Sequence, residues 1–143
     1  MSKIFLDANI LLDILIPSRS NHQRAIEAYI KICDSFDTLA TSENILTTIE
    51  YIATKNGTNC KVVSDFFENL YKNFELYSFK NILEESLSIY KNGCIEKRKI
   101  DFEDLLQLQT AIDNKCTAFL TEDKGIHKLD VDIEVLSLDD LFD

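Results

Sequence analysis

The chain has 143 residues, 45% of them apolar and 28% charged, with 25 acidic against 15 basic side chains and a formal net charge of −10. Such a length and composition fit one soluble, globular domain with a core of its own and exclude a disordered chain. The negative field argues against the broad basic face of a general nucleic-acid binder, but not against an enzyme whose clustered acids are neutralised by a metal ion.

The four cysteines, Cys33, Cys60, Cys94 and Cys116, are far apart and form no C-x-x-C. They read as reduced thiols of a cytosolic protein rather than a disulfide framework. The first apolar run is interrupted by Asp7, Asn9 and Asp13, and no stretch approaches membrane-spanning length, so no membrane association is expected. With only three Gly and one Pro there is no room for a P-loop, a G-x-G-x-x-G turn or a long flexible linker.

In chain order, Lys3 to Leu6 predicts a strand, followed by a short helix through Leu12 and Leu15 that Pro17 ends. Ala25, Ile26, Tyr29, Ile30 and Cys33 recur at three-four spacing and predict a helix from about Asn21 to Cys33. Thr38 to Thr41 is a short strand, and Ser42 is the N-cap of a helix to about Lys55, ended by Asn56-Gly57. A helix from Asn59 to Asn73, a strand from Leu76 to Phe79 and a helix from Ile82 to Tyr90 follow, the last stopped by Asn92-Gly93. Asp101 to Asn114 is a helix, Ala118 to Leu120 a strand, Gly125 to Lys128 a helical turn, Glu134 to Leu136 the last strand, and the end is a short acidic helix. Alternating strands and helices define a single α/β domain with a mostly parallel sheet, whose active site is expected off the carboxyl ends of the strands.

Two strands run straight into an acid. Ile4-Phe5-Leu6 is followed by Asp7, and Ala118-Phe119-Leu120 by Thr121-Glu122-Asp123. Packing alone gives a strand no reason to end in Asp, although Asp7 is equally a good N-cap for the helix that follows. Asn9 either lines the same crevice or bonds the turn backbone. Glu50 lies on a stripe with Leu46 and Ala53 and beside a second one of Ile45, Ile49 and Ile52, so it is read as an acid bordering the core that needs a partner. The alternative is a rim Glu reaching water. Glu43 reads first as a helix-start acid. Asp101 has the offset of an N-cap with an acid three residues on, whereas Asp104 heads a stripe with Leu108 and Ala111 and is the better ligand candidate. Glu122 points away from the side of Asp123 if strand alternation continues. Lys97-Arg98-Lys99 is the densest basic cluster; it can track an RNA backbone or be a solvated loop. Arg19, Arg24 and Lys124 are further basic candidates that the sequence cannot place. His22 and His127 lack zinc-ligand spacing. The aromatic-rich run Phe66, Phe67, Leu70, Tyr71, Phe74, Tyr77, Phe79 reads as core, with a dimer face or peptide groove as the alternative.

Asp7-Ala8-Asn9 after the first strand, Glu50 inside a helix, Asp101-Phe102-Glu103-Asp104 opening a helix and Thr121-Glu122-Asp123 after a later strand together resemble the PIN-domain family, in particular the small bacterial VapC-type toxins. The resemblance runs over essentially the whole chain in order and spacing. It implies a three-layer α/β/α fold with a central parallel sheet, and metal-dependent endonucleolytic cleavage of RNA with Mg²⁺ or Mn²⁺, one or two ions, as cofactor. Carried over by position, Asp7, Glu50, Asp104 and Asp123 match the acidic quartet, Asn9 the polar residue after the first acid, and Thr121 the hydroxyl residue before the last; Asp101 is a supporting acid. Glu122 departs from the pattern, where family members often carry a basic residue. The resemblance also implies a homodimer and a small antitoxin partner. Hard divalent ions prefer oxygen ligands, and a metal-activated water would leave a 5′-phosphate and a 3′-hydroxyl. A haloacid-dehalogenase-type phosphatase needs Asp where this chain has Asn9, and a response-regulator receiver needs an acceptor Asp that Thr38 to Thr41 does not supply. A catalytically silent PIN-like scaffold for RNA or protein is the remaining alternative.

Overall fold

The computed structural model describes residues 1–80, 82–97 and 100–142. Its centre is a five-stranded, all-parallel sheet of β1 (Lys3–Leu6), β2 (Thr38–Ser42), β3 (Glu75–Tyr77), β4 (Ala118–Leu120) and β5 (Glu134–Leu136) in the order β3-β2-β1-β4-β5. Parallel neighbours need crossovers, and helices supply them: α1 (Ala8–Leu15), α2 (His22–Ser35), α3 (Leu46–Lys55), α4 (Cys60–Asn73), α5 (Leu83–Ile95), α6 (Phe102–Asp113) and α7 (Lys124–His127). The chain winds outward from β1 through β2 to β3, then returns to the other side of β1 for β4 and β5. The order therefore reverses between β1 and β4, and that crevice is the topological switch point where open α/β sheets bind ligands.

Strand alternation divides the core into two layers. Ile4 and Leu6 face a core built with α1 to α4, including Leu11, Ile32, Ile49 and Leu70. Phe5 faces the opposite way, into a core with Leu105, Leu108 and Ala111 of α6 and Ile126 of α7. Phe119 of β4 joins Phe5 there, ring on ring at 5.4 Å. Helices thus cover both faces in three layers, and a central strand buried on both faces reads as the continuous apolar run seen at Ile4-Phe5-Leu6.

Most predicted elements lie within a residue or two of their expected bounds, and the differences have local causes. Ser42 does cap, its Oγ accepting from Asn44 N–H at 3.2 Å, but it starts a 3-10 turn over Glu43–Ile45 before α3 begins at Leu46. Gly57 ends α3 as expected, with φ +88 and its N–H on Thr54 O at 3.0 Å. Gly93 does not stop α5, which continues to Ile95. Gly93 is buried, seven residues after buried Ser86, so its small size serves packing within the helix rather than termination. In the aromatic run, Leu70 and Phe74 are core and Tyr29 stacks on Phe74 at 6.4 Å, but Tyr71 is 78% exposed. All four cysteines are free, with Cys116 buried. Among the described residues no helix is long and apolar enough to cross a membrane.

The Phe5–Phe119 pair fastens the two strands that frame the switch point. Phe119→Ala should lower unfolding stability by about 3–5 kcal/mol in urea denaturation, the cost of emptying a fully buried aromatic site.

Candidate active site

Asp7 ends β1 and caps α1, and one side chain does both jobs. Its backbone is extended at φ −75, ψ 170, its N–H continues the sheet to Leu120 O at 3.2 Å, and its Oδ1 accepts from Ile10 N–H at 2.9 Å. Its Oδ2 accepts from the Thr121 hydroxyl across the crevice. The carboxylate is fully buried. Burial pushes its pKa up from 3.8 to about 6, with Asp123 and Asp13 adding to the rise and the Thr121 and Ile10 hydrogen bonds opposing it.

Thr121, also fully buried, is the hinge between the two strand ends. Its Oγ1 donates to Asp7 and accepts from Asp123 N–H at 3.0 Å, and its carbonyl oxygen lies 2.7 Å from His127 Nε2. Asp123 in turn caps α7, its Oδ1 accepting from Gly125 N–H at 2.7 Å. The third acid comes from α6. Asp101 caps that helix through Asp104 N–H at 3.0 Å, which leaves Asp104 one turn in, on the buried face. Gln107, fully buried, ties α6 to the start of α1: its Oε1 accepts from Ala8 N–H at 2.8 Å and its Nε2 donates to Asp104 Oδ1 at 3.3 Å.

Asp104 and Asp123 lie within hydrogen-bonding reach of one another. Burial, the hydrogen bond with Asp123 and the nearby carboxylates of Asp7 and Asp101 push the Asp104 carboxyl well above the usual range. The same hydrogen bond, together with the Gly125 and Ile126 N–H groups, holds Asp123 below it.

Of the sequence-predicted acids, Asp7, Asp104 and Asp123 lie near one another at the carboxyl end of the sheet, with Asp104 and Asp123 the closely placed pair, and Glu50 lies away from them. Glu50 is exposed and borders a cleft between α3 and α4 with Thr54, Cys60, Val63, Ser64 and Phe67. The 3-10 turn sets the phase of α3 so that Ile45, Ile49 and Ala53 face the core, which turns Glu50 to solvent. From the same helix it is Thr48 that faces α6, donating to Glu103 Oε2 at 3.0 Å. Burial raises the Glu103 pKa, with the Thr48 hydrogen bond opposing and Asp101 adding to it. Glu43 is exposed, in the first turn as expected. Asn9 is exposed at the rim, its Oδ1 3.4 Å from an Arg19 amino nitrogen. Glu122 faces away, taking Leu138 N–H at 3.2 Å. Lys97 is exposed at the end of α5; Arg98 and Lys99 lie outside the described residues.

The donor set suits a hard divalent cation: it is all oxygen, and two of its carboxylates are closely paired. Among the described residues no three acidic, thiol or imidazole groups already converge on one point, so a cation would also have to draw Asp7 towards the Asp104–Asp123 pair.

A five-stranded parallel sheet with three aspartates at its switch point is the arrangement expected for a PIN domain. The PIN domain family model matches residues 4–132, and the chain belongs to that family. It is similar to Ribonuclease VapC1 of Aquifex aeolicus, 31% identical over 133 residues that span 92% of this chain and 88% of the relative. In fold it is similar to VapBC2 of Rickettsia felis, solved on a DNA fragment from its promoter, with a TM-score of 0.70 at 14% identity, covering 94% of this chain and 98% of the other. It is likewise similar to VapC20 of Mycobacterium tuberculosis, a toxin that cleaves the sarcin-ricin loop, with a TM-score of 0.70 at 12% identity, covering 92% and 98%.

In the metal-free protein, folded Asp7 holds a proton between pH 3.8 and about 6 that the unfolded chain has released. Stability should therefore fall as pH rises from about 4 past 6, and the displacement from 3.8 to about 6 is worth about 3 kcal/mol. Urea denaturation across that range should show the decline in the parent protein and a shallower one in Asp7→Asn. An equal slope in both would contradict the burial of a titrating Asp7.

Proposed function

We propose that this protein is a metal-dependent endoribonuclease that hydrolyses RNA phosphodiester bonds. The observation that carries the reading is the placement of buried Asp7 and Asp104 beside Asp123 at the switch point, with Thr121 tying Asp7 to Asp123. Asp7, Asp104 and Asp123 hold the cation, which we take to be Mg²⁺ or Mn²⁺ because the donors are carboxylate oxygens. When bound, the ion supplies the charge that activates a water and stabilises the leaving oxygen.

The surrounding residues have separate tasks. Thr121 holds Asp7 and the Asp123 backbone in register. Gln107 fixes the Asp104 carboxyl against the start of α1, and Asp101 keeps α6 in place as its cap. Thr48, bonded to Glu103, ties α3 to the start of α6.

The similarity to Ribonuclease VapC1 supports RNA as substrate. VapBC neighbours support a role as the toxin of a toxin–antitoxin pair with an antitoxin as partner; a cytoplasmic homodimer is part of the same proposal. A silent scaffold fits the site less well. Burying Asp7 and Asp104 costs stability that a binding module gains nothing from, whereas a cation offsets it.

RNA cleavage with Mn²⁺ or Mg²⁺ should be abolished by EDTA. It should fall by at least about 100-fold in Asp7→Asn and Asp104→Asn, the scale of losing one preorganised charge contact. Glu50→Gln should cleave like the parent, as expected for a solvated surface position. Products should carry 5′-phosphates and 3′-hydroxyls; a 2′,3′-cyclic phosphate, or activity in EDTA, would contradict hydrolysis by this site.

A further inference from the structure

Asp123 borders two cavities of opposite chemistry. One, of about 480 Å³, is lined by Tyr90, Ile100, Asp101 and Phe102, with Tyr90 edge-on to Phe102 at 5.3 Å. The other, of about 420 Å³, is lined by Asn9, Arg19, Ser20 and Asn21 opposite Asp123, with Asp13 and Glu122 completing it. Each is large enough for a nucleotide-sized group. A phosphate has no favourable partner between two aromatic rings and two carboxylates, so the Arg19 cavity is where the charge of a nucleic-acid strand can be met.

Arg19 is built for that purpose. Asp13, only 5% exposed on α1, takes its Nε–H at 2.6 Å. His22 Nδ1 lies 2.8 Å from the Asp13 carbonyl oxygen and holds the same loop. One edge of the guanidinium is thereby clamped, and a weak contact to Asn9 Oδ1 at 3.4 Å steadies an amino group. Among the described residues Nη1 donates no hydrogen bond, and the side chain remains 31% exposed towards the cavity. A fork held this way loses little further freedom on binding an oxyanion. Of the two other basic candidates, Arg24 is committed elsewhere, pairing with Asp139 and lying over the Phe142 ring at 5.0 Å, and Lys124 is exposed at the start of α7 without the clamp that Arg19 has.

We propose that Arg19 binds the RNA phosphate adjacent to the scissile one, with Asp13 as its positioning residue. The strand would then pass over Asp123 with one flanking nucleotide in the polar cavity and the other against Tyr90 and Phe102. The assignment rests on the ribonuclease reading for its substrate, but its test does not depend on turnover.

The experiment is binding of fluorescent single-stranded RNA oligonucleotides by anisotropy in EDTA, each oligonucleotide carrying one neutral methylphosphonate at a successive position. For the parent protein, one position should weaken binding about tenfold, the size of one charge-assisted hydrogen bond. In Arg19→Gln that position should lose its special effect, and the slope of log affinity against log salt should fall by about 0.7, one phosphate contact on a single strand. When cleavage is then restored with Mn²⁺, the sensitive linkage should lie next to the cut, and Arg19→Gln should raise KM more than it lowers kcat. Methylphosphonate sensitivity that is the same in Arg19→Gln, or that lies far from the cut, would overturn the assignment. Absence of cleavage by the parent with Mn²⁺, alongside the Arg19-dependent sensitivity, would overturn the ribonuclease reading and leave Arg19 as a phosphate contact.

Discussion

The Asp7 carboxylate is fully buried, at the one place in the sheet where the strand order reverses, and the neighbouring structure is arranged around keeping it there. One oxygen is satisfied by Ile10 N–H, which makes Asp7 the cap of α1, and the other by the Thr121 hydroxyl, which locks the end of β1 to the end of β4. Thr121 passes the constraint on by accepting Asp123 N–H, and Asp123 by capping α7. Beneath them, the Thr41 hydroxyl donates to Leu6 O at 2.9 Å and anchors β2 to the same strand end. Gln107 closes the circuit from α6, bonding Ala8 N–H and Asp104 at once. An unpaired buried carboxylate would cost more than any of these contacts contributes singly, so the network is specified as a unit.

Such a network stores electrostatic energy. Asp7 and Asp104 both hold protons more tightly than exposed aspartates because burial disfavours their charged forms, whereas the hydrogen bond with Asp104 and the Gly125 and Ile126 N–H groups keep Asp123 below the usual range. In a chain of net charge −10 there is little general attraction for RNA. The proposed function assigns that work to local charges: a divalent cation among the aspartates, and Arg19, whose tie to Asp13 fixes its orientation while leaving an edge open. The clamp also explains why Asp13 can be a buried acid on an otherwise apolar helix.

The placement of Asp7, Asp104 and Asp123 at one end of the sheet was legible from where each stands in its strand or helix. Asp7 and Asp123 end apolar strands, and Asp104 shares a stripe with Leu108 and Ala111, all buried. Glu50 misled because Leu46, Glu50 and Ala53 make as good a stripe on paper as Ile45, Ile49 and Ala53. Only the 3-10 turn at Glu43–Ile45, invisible in the pattern, decides which one faces the core. Gly93 looked like a stop signal because glycine's two uses, ending a helix and letting one pack closely, share a letter. Gln107 and the Thr48–Glu103 bond were not legible at all, since an amide or hydroxyl on a helix reads the same whether it faces water or a carboxylate. Sheet order, too, depends on long-range pairing: Phe5 and Phe119 are 114 positions apart and stack in the core.

The central claim is that a divalent cation binds among Asp7, Asp104 and Asp123 and displaces the proton that burial favours on the Asp104 carboxyl. Calorimetric titration with Mn²⁺ at pH 7, repeated in buffers of different ionisation enthalpy, measures both the binding and the protons it displaces. The account predicts binding accompanied by proton release, with both lost in Asp104→Asn. Binding with no release of protons, or unchanged binding by Asp104→Asn, would contradict it.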